Sequence, residues 1–122
     1  MKVLIIDDSM IMRNIHKNAL KAMGINEDDM IDAEDGEKAL TIAKNEKIDL
    51  FLVDWNMPKL DGLVLLKTLR TLPNYNVTPI IMVTSEAAKY NVMEAIEAGV
   101  TNYIVKPITE KAFIEKIKKY IE

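Results

Sequence analysis

Short apolar segments that alternate with amphipathic segments are the feature that most restricts the fold of this chain. Five apolar, partly β-branched runs are typical of buried strands, and each is followed by a segment whose apolar residues recur at helical spacing. Parallel strands need crossover connections, which are right-handed. The pattern predicts an α/β fold, a doubly wound five-stranded parallel sheet with five helices in three layers. The strands are expected at residues 3–6, 30–33, 49–53, 80–83 and 101–105.

Capping and stop residues mark the helices. Ser9 and Thr109 suit the N-caps of the first and last helices, and Gly24 suits the end of the first. The last helix is expected to run to the C-terminus, and the second and fourth to span about 37–45 and 86–97. The only histidine, His16, is expected at the solvent or at a rim. The first helix is indicated by the spacing of Met12, Ile15, Ala19 and Met23.

Length and composition favour a single domain that spans residues 1–122. The 122 residues are 49% hydrophobic and 29% charged, a balance typical of globular proteins. The chain has no cysteine, which excludes disulfides and thiolate metal sites and fits the cytoplasm. Its net charge of −3 offers no basic field for nucleic acid. No apolar run approaches the ~20 residues of a membrane helix, so no membrane insertion is expected.

Polar residues follow four of the five predicted strands. Asp7 and Asp8 come after the first strand, Asp54 after the third, Thr84 after the fourth and Lys106 after the fifth. In an open α/β sheet, ligands bind beyond the carboxyl ends of the strands, where the strand order reverses. These side chains are therefore expected around one crevice. If the strand order is 2-1-3-4-5, the three acids converge.

Three carboxylates in one crevice repel one another, and a hard divalent cation is the commonest resolution. Mg²⁺ suits a site of one or two carboxylates plus a phosphate. One carboxylate can then act as nucleophile toward phosphorus, and Asp54 is the candidate because it projects from the central strand. Lys106 would neutralise a phosphoryl oxygen and Thr84 would donate a hydrogen bond to another.

These residues and their neighbours resemble the complete signature of two-component response-regulator receivers. Within that family the chain is most similar to the single-domain chemotaxis regulators, through Trp55-Asn56, Glu86 and Ala98-Gly99. The resemblance implies a flavodoxin-like fold with strand order 2-1-3-4-5. The motifs that carry it are IIDDS at residues 5–9, VDWNMP at 53–58 with Asp61-Gly62, VTS at 83–85 and YIVKP at 103–107.

The resemblance also implies a role for each site residue. Asp54 would accept the phosphoryl group of a histidine kinase. Asp8, Asp54 and the backbone carbonyl of Asn56 would bind Mg²⁺, with Asp7 acting through water. Asn56 and Glu86 would tune the lifetime of the phosphoryl group.

A switch and an output surface follow from the same resemblance. Thr84 and Tyr103 would form the switch pair, with the hydroxyl moving toward the phosphoryl group and the ring turning inward behind it. The fourth helix, fifth strand and fifth helix would bind a motor switch or adaptor protein, and a phosphatase would dock near the site. The chain would act as a monomer and would catalyse only its own phosphorylation and dephosphorylation.

Two alternative functions are compatible with the same topology. A phosphorelay intermediate would use the same crevice and pass the phosphoryl group to a histidine phosphotransfer domain. A flavodoxin-like electron carrier would share the topology, but Asp7 and Asp8 would repel the phosphate of a flavin.

Overall fold

A computed structural model describes residues 1–55, 60–84, 89–106 and 109–121, without the side chains of 89–92. In these ranges the strands form one parallel sheet in the order β2-β1-β3-β4-β5, which confirms the order implied by the resemblance. The strands are β1 (Val3–Ile6), β2 (Met30–Ala33), β3 (Leu50–Asp54), β4 (Ile80–Thr84) and β5 (Asn102–Val105).

One helix follows each strand, as expected. The helices are α1 (Met10–Ala22), α2 (Gly36–Asn45), α3 (Gly62–Thr71), α4 (Lys89–Glu97) and α5 (Glu110–Ile117). The expected start of the fourth helix near Glu86 lies outside the described residues. The last helix is shorter than expected, because a 3₁₀ turn at Lys118–Tyr120 replaces its final part. No helix in the described ranges is long and apolar enough to cross a membrane.

Side-chain oxygens cap the helices as the sequence indicates. The Ser9 hydroxyl accepts a hydrogen bond from the Met12 amide at 3.2 Å, and the Thr109 hydroxyl accepts one from Ala112. Gly24 follows α1 with a φ of 92°, in the left-handed region that glycine adopts without strain. Both ends of α1 are therefore set by local chemistry.

Alternate residues of the buried strands face two separate apolar layers, which confirms the three-layer arrangement. Leu4, Phe51 and Met82 belong to a cluster shared with α2 and α3. Ile5 and Leu52, on the other face, pack with residues of α1 and α5. The sheet is thus covered on both sides, and its carboxyl edge remains as the place where polar side chains gather.

The core-facing side of α1 includes Ala19, as its apolar spacing suggests, but it takes in Arg13 and His16 in place of Ile15. Ile15 is 44% exposed, whereas His16 is only 2% exposed and Arg13 is also buried. The expectation that His16 faces solvent or lies at a rim is wrong. Its ring stacks on Phe113 of α5, with centroids 5.2 Å apart and 13° between the planes. The aromatic ring of histidine fills space between the two helices as an apolar side chain would.

Candidate functional site

Three carboxylates meet at the carboxyl edge of the sheet. Ile6 of β1 is aligned with Val53 of β3, so the next residues, Asp7 and Asp54, are neighbours. One carboxylate oxygen from each of Asp7, Asp8 and Asp54 lies within 4.8 Å of the other two. Asp7 and Asp54 are buried and Asp8 is exposed, so the cluster opens to solvent on one side. The strand order brings together the three acids that the sequence places at strand ends.

Lys106 is the cation of this cluster. Its ammonium lies 3.2 Å from an Asp54 carboxylate oxygen and 3.5 Å from one of Asp7. The backbone holds it there, because the Lys106 amide donates to the Thr84 carbonyl at 2.7 Å as β5 ends beside β4. The Lys106 ammonium thus contacts two buried carboxylates. Its single positive charge does not neutralise three acids, so the cluster as a whole is negative.

The surroundings of Asp54 shift the pKa of its carboxyl group. Burial and, after it, the neighbouring Asp7 carboxylate together raise the pKa of Asp54 from 3.8 to about 6, against the opposing effect of Lys106. Ionised Asp54 is therefore costly in the metal-free protein. A cation that replaces the lost solvation would favour the charged form, and oxygen ligands of this kind suit Mg²⁺.

Thr84 and Tyr103 lie on the same face of the sheet. Tyr103 of β5 is aligned with Met82 of β4, and Thr84 lies two residues after Met82 on the same strand. Side chains two residues apart on a strand share a face. Thr84 is buried, while Tyr103 is half-buried against the α2–α3 cluster. Thr84 therefore ends β4 at the carboxyl edge of the sheet, on the face that Tyr103 shares.

Two predicted site residues, Asn56 and Glu86, lie outside the described residues. The structure therefore does not test the Asn56 carbonyl as a metal ligand, nor either residue as a determinant of phosphoryl lifetime. Trp55, beside the first of them, is half-buried.

Gly62 packs directly against the strand that carries Asp54. Its amide donates to the Trp55 carbonyl at 2.8 Å, and a Cβ built on Gly62 would lie 2.8 Å from the Trp55 Cα and even closer to the Asp54 carbonyl. Only a residue without a side chain allows the start of α3 to approach the end of β3 so closely.

Sequence reasoning missed Arg13. Its Nη1 donates to the Asp7 carbonyl at 2.6 Å, and its Nε donates to the Asp32 carboxylate at 2.9 Å. The signal was a charged residue one turn after the Ser9 cap and close in sequence to the acidic pair. It was overlooked because the apolar run Met10-Ile11-Met12 precedes it in the chain.

Comparisons with known proteins agree with this geometry. The family model described as response regulator receiver domain matches residues 3–118. The chain is 46% identical over 119 residues to the Chemotaxis protein CheY homolog of Campylobacter jejuni, covering 97% of this chain and 90% of that protein. It is 42% identical over 122 residues to Chemotaxis protein CheY-3 of Vibrio cholerae, covering 100% and 92%.

Solved structures show the same architecture. The structure of Chemotaxis response regulator CheY4 of Vibrio cholerae superimposes with a TM-score of 0.90, at 30% identity and with 98% of each chain covered. Family model, relatives and fold all agree. The chain belongs to the response regulator receiver domain family.

Proposed function

We propose that this chain is a phosphorylation-activated switch in chemotaxis signalling, a single receiver domain over residues 1–122 in which Asp54 accepts a phosphoryl group from a histidine kinase. The observation that carries the proposal is the placement of Asp54, buried beside Asp7 and Asp8 and 3.2 Å from the Lys106 ammonium. The names of the Campylobacter jejuni and Vibrio cholerae relatives support the chemotaxis role.

The donor set fits Mg²⁺. Three carboxylate oxygens within 4.8 Å of one another offer only hard ligands, and Asp8 faces solvent, so that waters can complete the coordination. Asp8 and Asp54 would hold the ion directly, together with the Asn56 carbonyl, and Asp7 would act through water. When bound, the ion supplies charge neutralisation for the oxygens of an incoming phosphoryl group.

In the transfer, a carboxylate oxygen of Asp54 forms a bond to phosphorus as the phosphorus–nitrogen bond of the donor phosphohistidine breaks. The electron pair of that bond leaves with the imidazole, and Asp54 becomes an acyl phosphate. Lys106 pairs with a phosphoryl oxygen in place of the ionised Asp54, and the Thr84 hydroxyl donates to another. Positioning and charge neutralisation are what this chemistry requires of a protein. The chain would catalyse only its own phosphorylation and dephosphorylation.

The output is a change in affinity for a partner. Thr84 and Tyr103 share a sheet face, so movement of the hydroxyl toward the phosphoryl group leaves room for the Tyr103 ring to turn inward. On α4, apolar side chains are open to solvent: Met93 is 51% exposed and Ile96 60%. We infer that α4, β5 and α5 form the surface for a motor switch or adaptor protein in the cytoplasm, bound by a monomer.

Phosphorylation by acetyl phosphate and Mg²⁺ tests the acceptor. Intact-mass measurement should show one added phosphoryl group on the wild type and on Asp28→Asn, a control that removes an exposed acid before β2 at the opposite edge of the sheet. Asp54→Asn should show none. A label that persists in Asp54→Asn would move the acceptor to another residue.

Partner capture separates the switch from the relay. The beryllofluoride-treated protein should bind a motor switch or adaptor protein more tightly than the untreated one. Transfer of the phosphoryl group to a histidine phosphotransfer domain, without any change in partner binding, would favour the relay function instead.

A further inference from the structure

Every polar group of Asp7 has a partner. Its amide donates to the Ala33 carbonyl at 3.1 Å, and its carboxylate accepts from the Ser9 amide at 2.9 Å and faces Lys106. Its carbonyl accepts from Arg13 at 2.6 Å. Of these partners, Arg13 is the one that acts on the peptide group joining Asp7 to Asp8.

Arg13 is itself held from two sides. It is buried in α1, and its Nε donates to Asp32 of β2. The same Asp32 carboxylate pairs with Lys17, one turn further along α1, at 3.1 Å. The planar guanidinium can donate in two directions at once, which a compact ammonium cannot do. The link from β2 through Arg13 to the Asp7 carbonyl is therefore rigid.

We propose that Arg13 is a positioning residue for the metal site: by fixing the peptide between Asp7 and Asp8, it holds both carboxylates in the arrangement that binds Mg²⁺. The inference rests on the proposed function, because it assumes that the three acids bind this ion. Groups that hold metal ligands in place often change metal affinity about 10- to 100-fold when they are removed.

A purely electrostatic role for Arg13 would have the opposite sign. Arg13 is a cation near a cation site, so its removal should by Coulomb's law tighten Mg²⁺ binding. Positioning predicts that removal weakens binding instead. Lys17 provides a matched control, since Lys17→Gln also removes one cation paired with Asp32 but touches no group of Asp7.

The first measurement is the Mg²⁺ dissociation constant of the purified protein by calorimetry. Arg13→Gln should bind Mg²⁺ about tenfold more weakly than the wild type. Lys17→Gln should bind it equally or up to about twofold more tightly. Arg13→Lys keeps the charge, and should also bind more weakly than the wild type because one ammonium cannot serve both partners. Unchanged or tighter binding in both Arg13 variants would overturn the proposal.

The second measurement needs no metal. Release of the Asp7 carbonyl should loosen the turn in which the Ser9 amide donates to Asp7, so amide hydrogen exchange at Ser9 should be about tenfold faster in Arg13→Lys and unchanged in Lys17→Gln. Unchanged exchange in Arg13→Lys would also overturn the proposal. If the wild type fails to bind Mg²⁺, the proposed function fails, and the exchange rates still decide whether Arg13 positions Asp7.

Discussion

The ring of His16 lies almost parallel to the ring of Phe113, 5.2 Å away between α1 and α5. Neither nitrogen of His16 has a hydrogen-bond partner among the described residues. Burial, and then the charge of Lys106, lowers the pKa of His16 from 6.5 to about 4. A neutral histidine is thus a condition of this helix contact.

The first prediction follows from that histidine. His16 binds a proton near pH 6.5 in the unfolded chain and only near pH 4 in the folded chain. The part of the folding stability that depends on neutral His16 is therefore complete above pH 6.5 and falls as the pH decreases toward 4. The loss approaches about 3 kcal/mol. Urea unfolding of Asp54→Asn at pH 7.5 and 4.5 should show this loss of stability. The double variant Asp54→Asn, His16→Phe should lose much less stability between the same two pH values. Equal acid sensitivity of the two proteins would contradict the neutral His16.

The second prediction concerns Asp54 without metal, and its sign is opposite. Its folded pKa of about 6 lies above the ordinary 3.8, so ionised Asp54 destabilises the fold above pH 6, and this cost disappears as the pH falls toward 3.8. Allowing for partial solvent access, Asp54→Asn should gain roughly 1–2 kcal/mol at pH 7.5 in EDTA. Urea unfolding measures the gain, and Asp28→Asn should show none. A less stable Asp54→Asn would mean that Lys106 outweighs burial and repulsion.

The third prediction is the response to Mg²⁺. A ligand that binds only the folded chain, at ten times its dissociation constant, stabilises it by about 1.4 kcal/mol. The wild type should therefore melt at a higher temperature with Mg²⁺ than with EDTA. In Asp54→Asn one of the three clustered carboxylates is gone, so the gain should be smaller at the same metal concentration. Identical gains would show that the ion binds elsewhere.

The fourth prediction separates charge from shape at Lys106. Lys106→Arg should still accept a phosphoryl group from acetyl phosphate, because the charge remains. It should respond poorly to phosphorylation in partner binding, since a planar guanidinium cannot occupy the position of a compact ammonium between Asp7 and Asp54. Lys67→Arg, an exposed change on α3 outside the proposed partner surface, is the control. Full partner binding by phosphorylated Lys106→Arg would exclude this role.

The fifth prediction tests coupling between Thr84 and Tyr103. Beryllofluoride with Mg²⁺ should change the NMR signals of the Tyr103 ring in the wild type and in Thr84→Ser, which retains a hydroxyl. Thr84→Ala should bind beryllofluoride but show a much smaller change at Tyr103, because nothing draws residue 84 toward the site. A full response in Thr84→Ala would place the coupling on another route.

The sheet and its polar edge could be predicted because both depend on regular geometry. Strand-length apolar runs fix the elements, and parallel strands deliver Asp54 and Lys106 to one edge wherever the helices lie. The inward face of α1 could not be predicted. Apolar residues also occur on the exposed side of that helix, as Met10, Ile11 and Ile15 show, so periodicity alone does not choose a face. The choice is made by contacts with distant residues, Asp32 for Arg13 and Phe113 for His16, which local sequence does not reveal.

The tight approach of Gly62 to the end of β3 also limits how this protein can diverge or be engineered. Any side chain at position 62, alanine included, would push α3 away from the backbone of Asp54 and Trp55. A mutational library should therefore recover only glycine there, whatever property is selected. The exposed residues of α4, such as Met93 and Ile96, carry no comparable restriction. The exposed face of α4 can thus change in sequence while the backbone beside Asp54 stays the same.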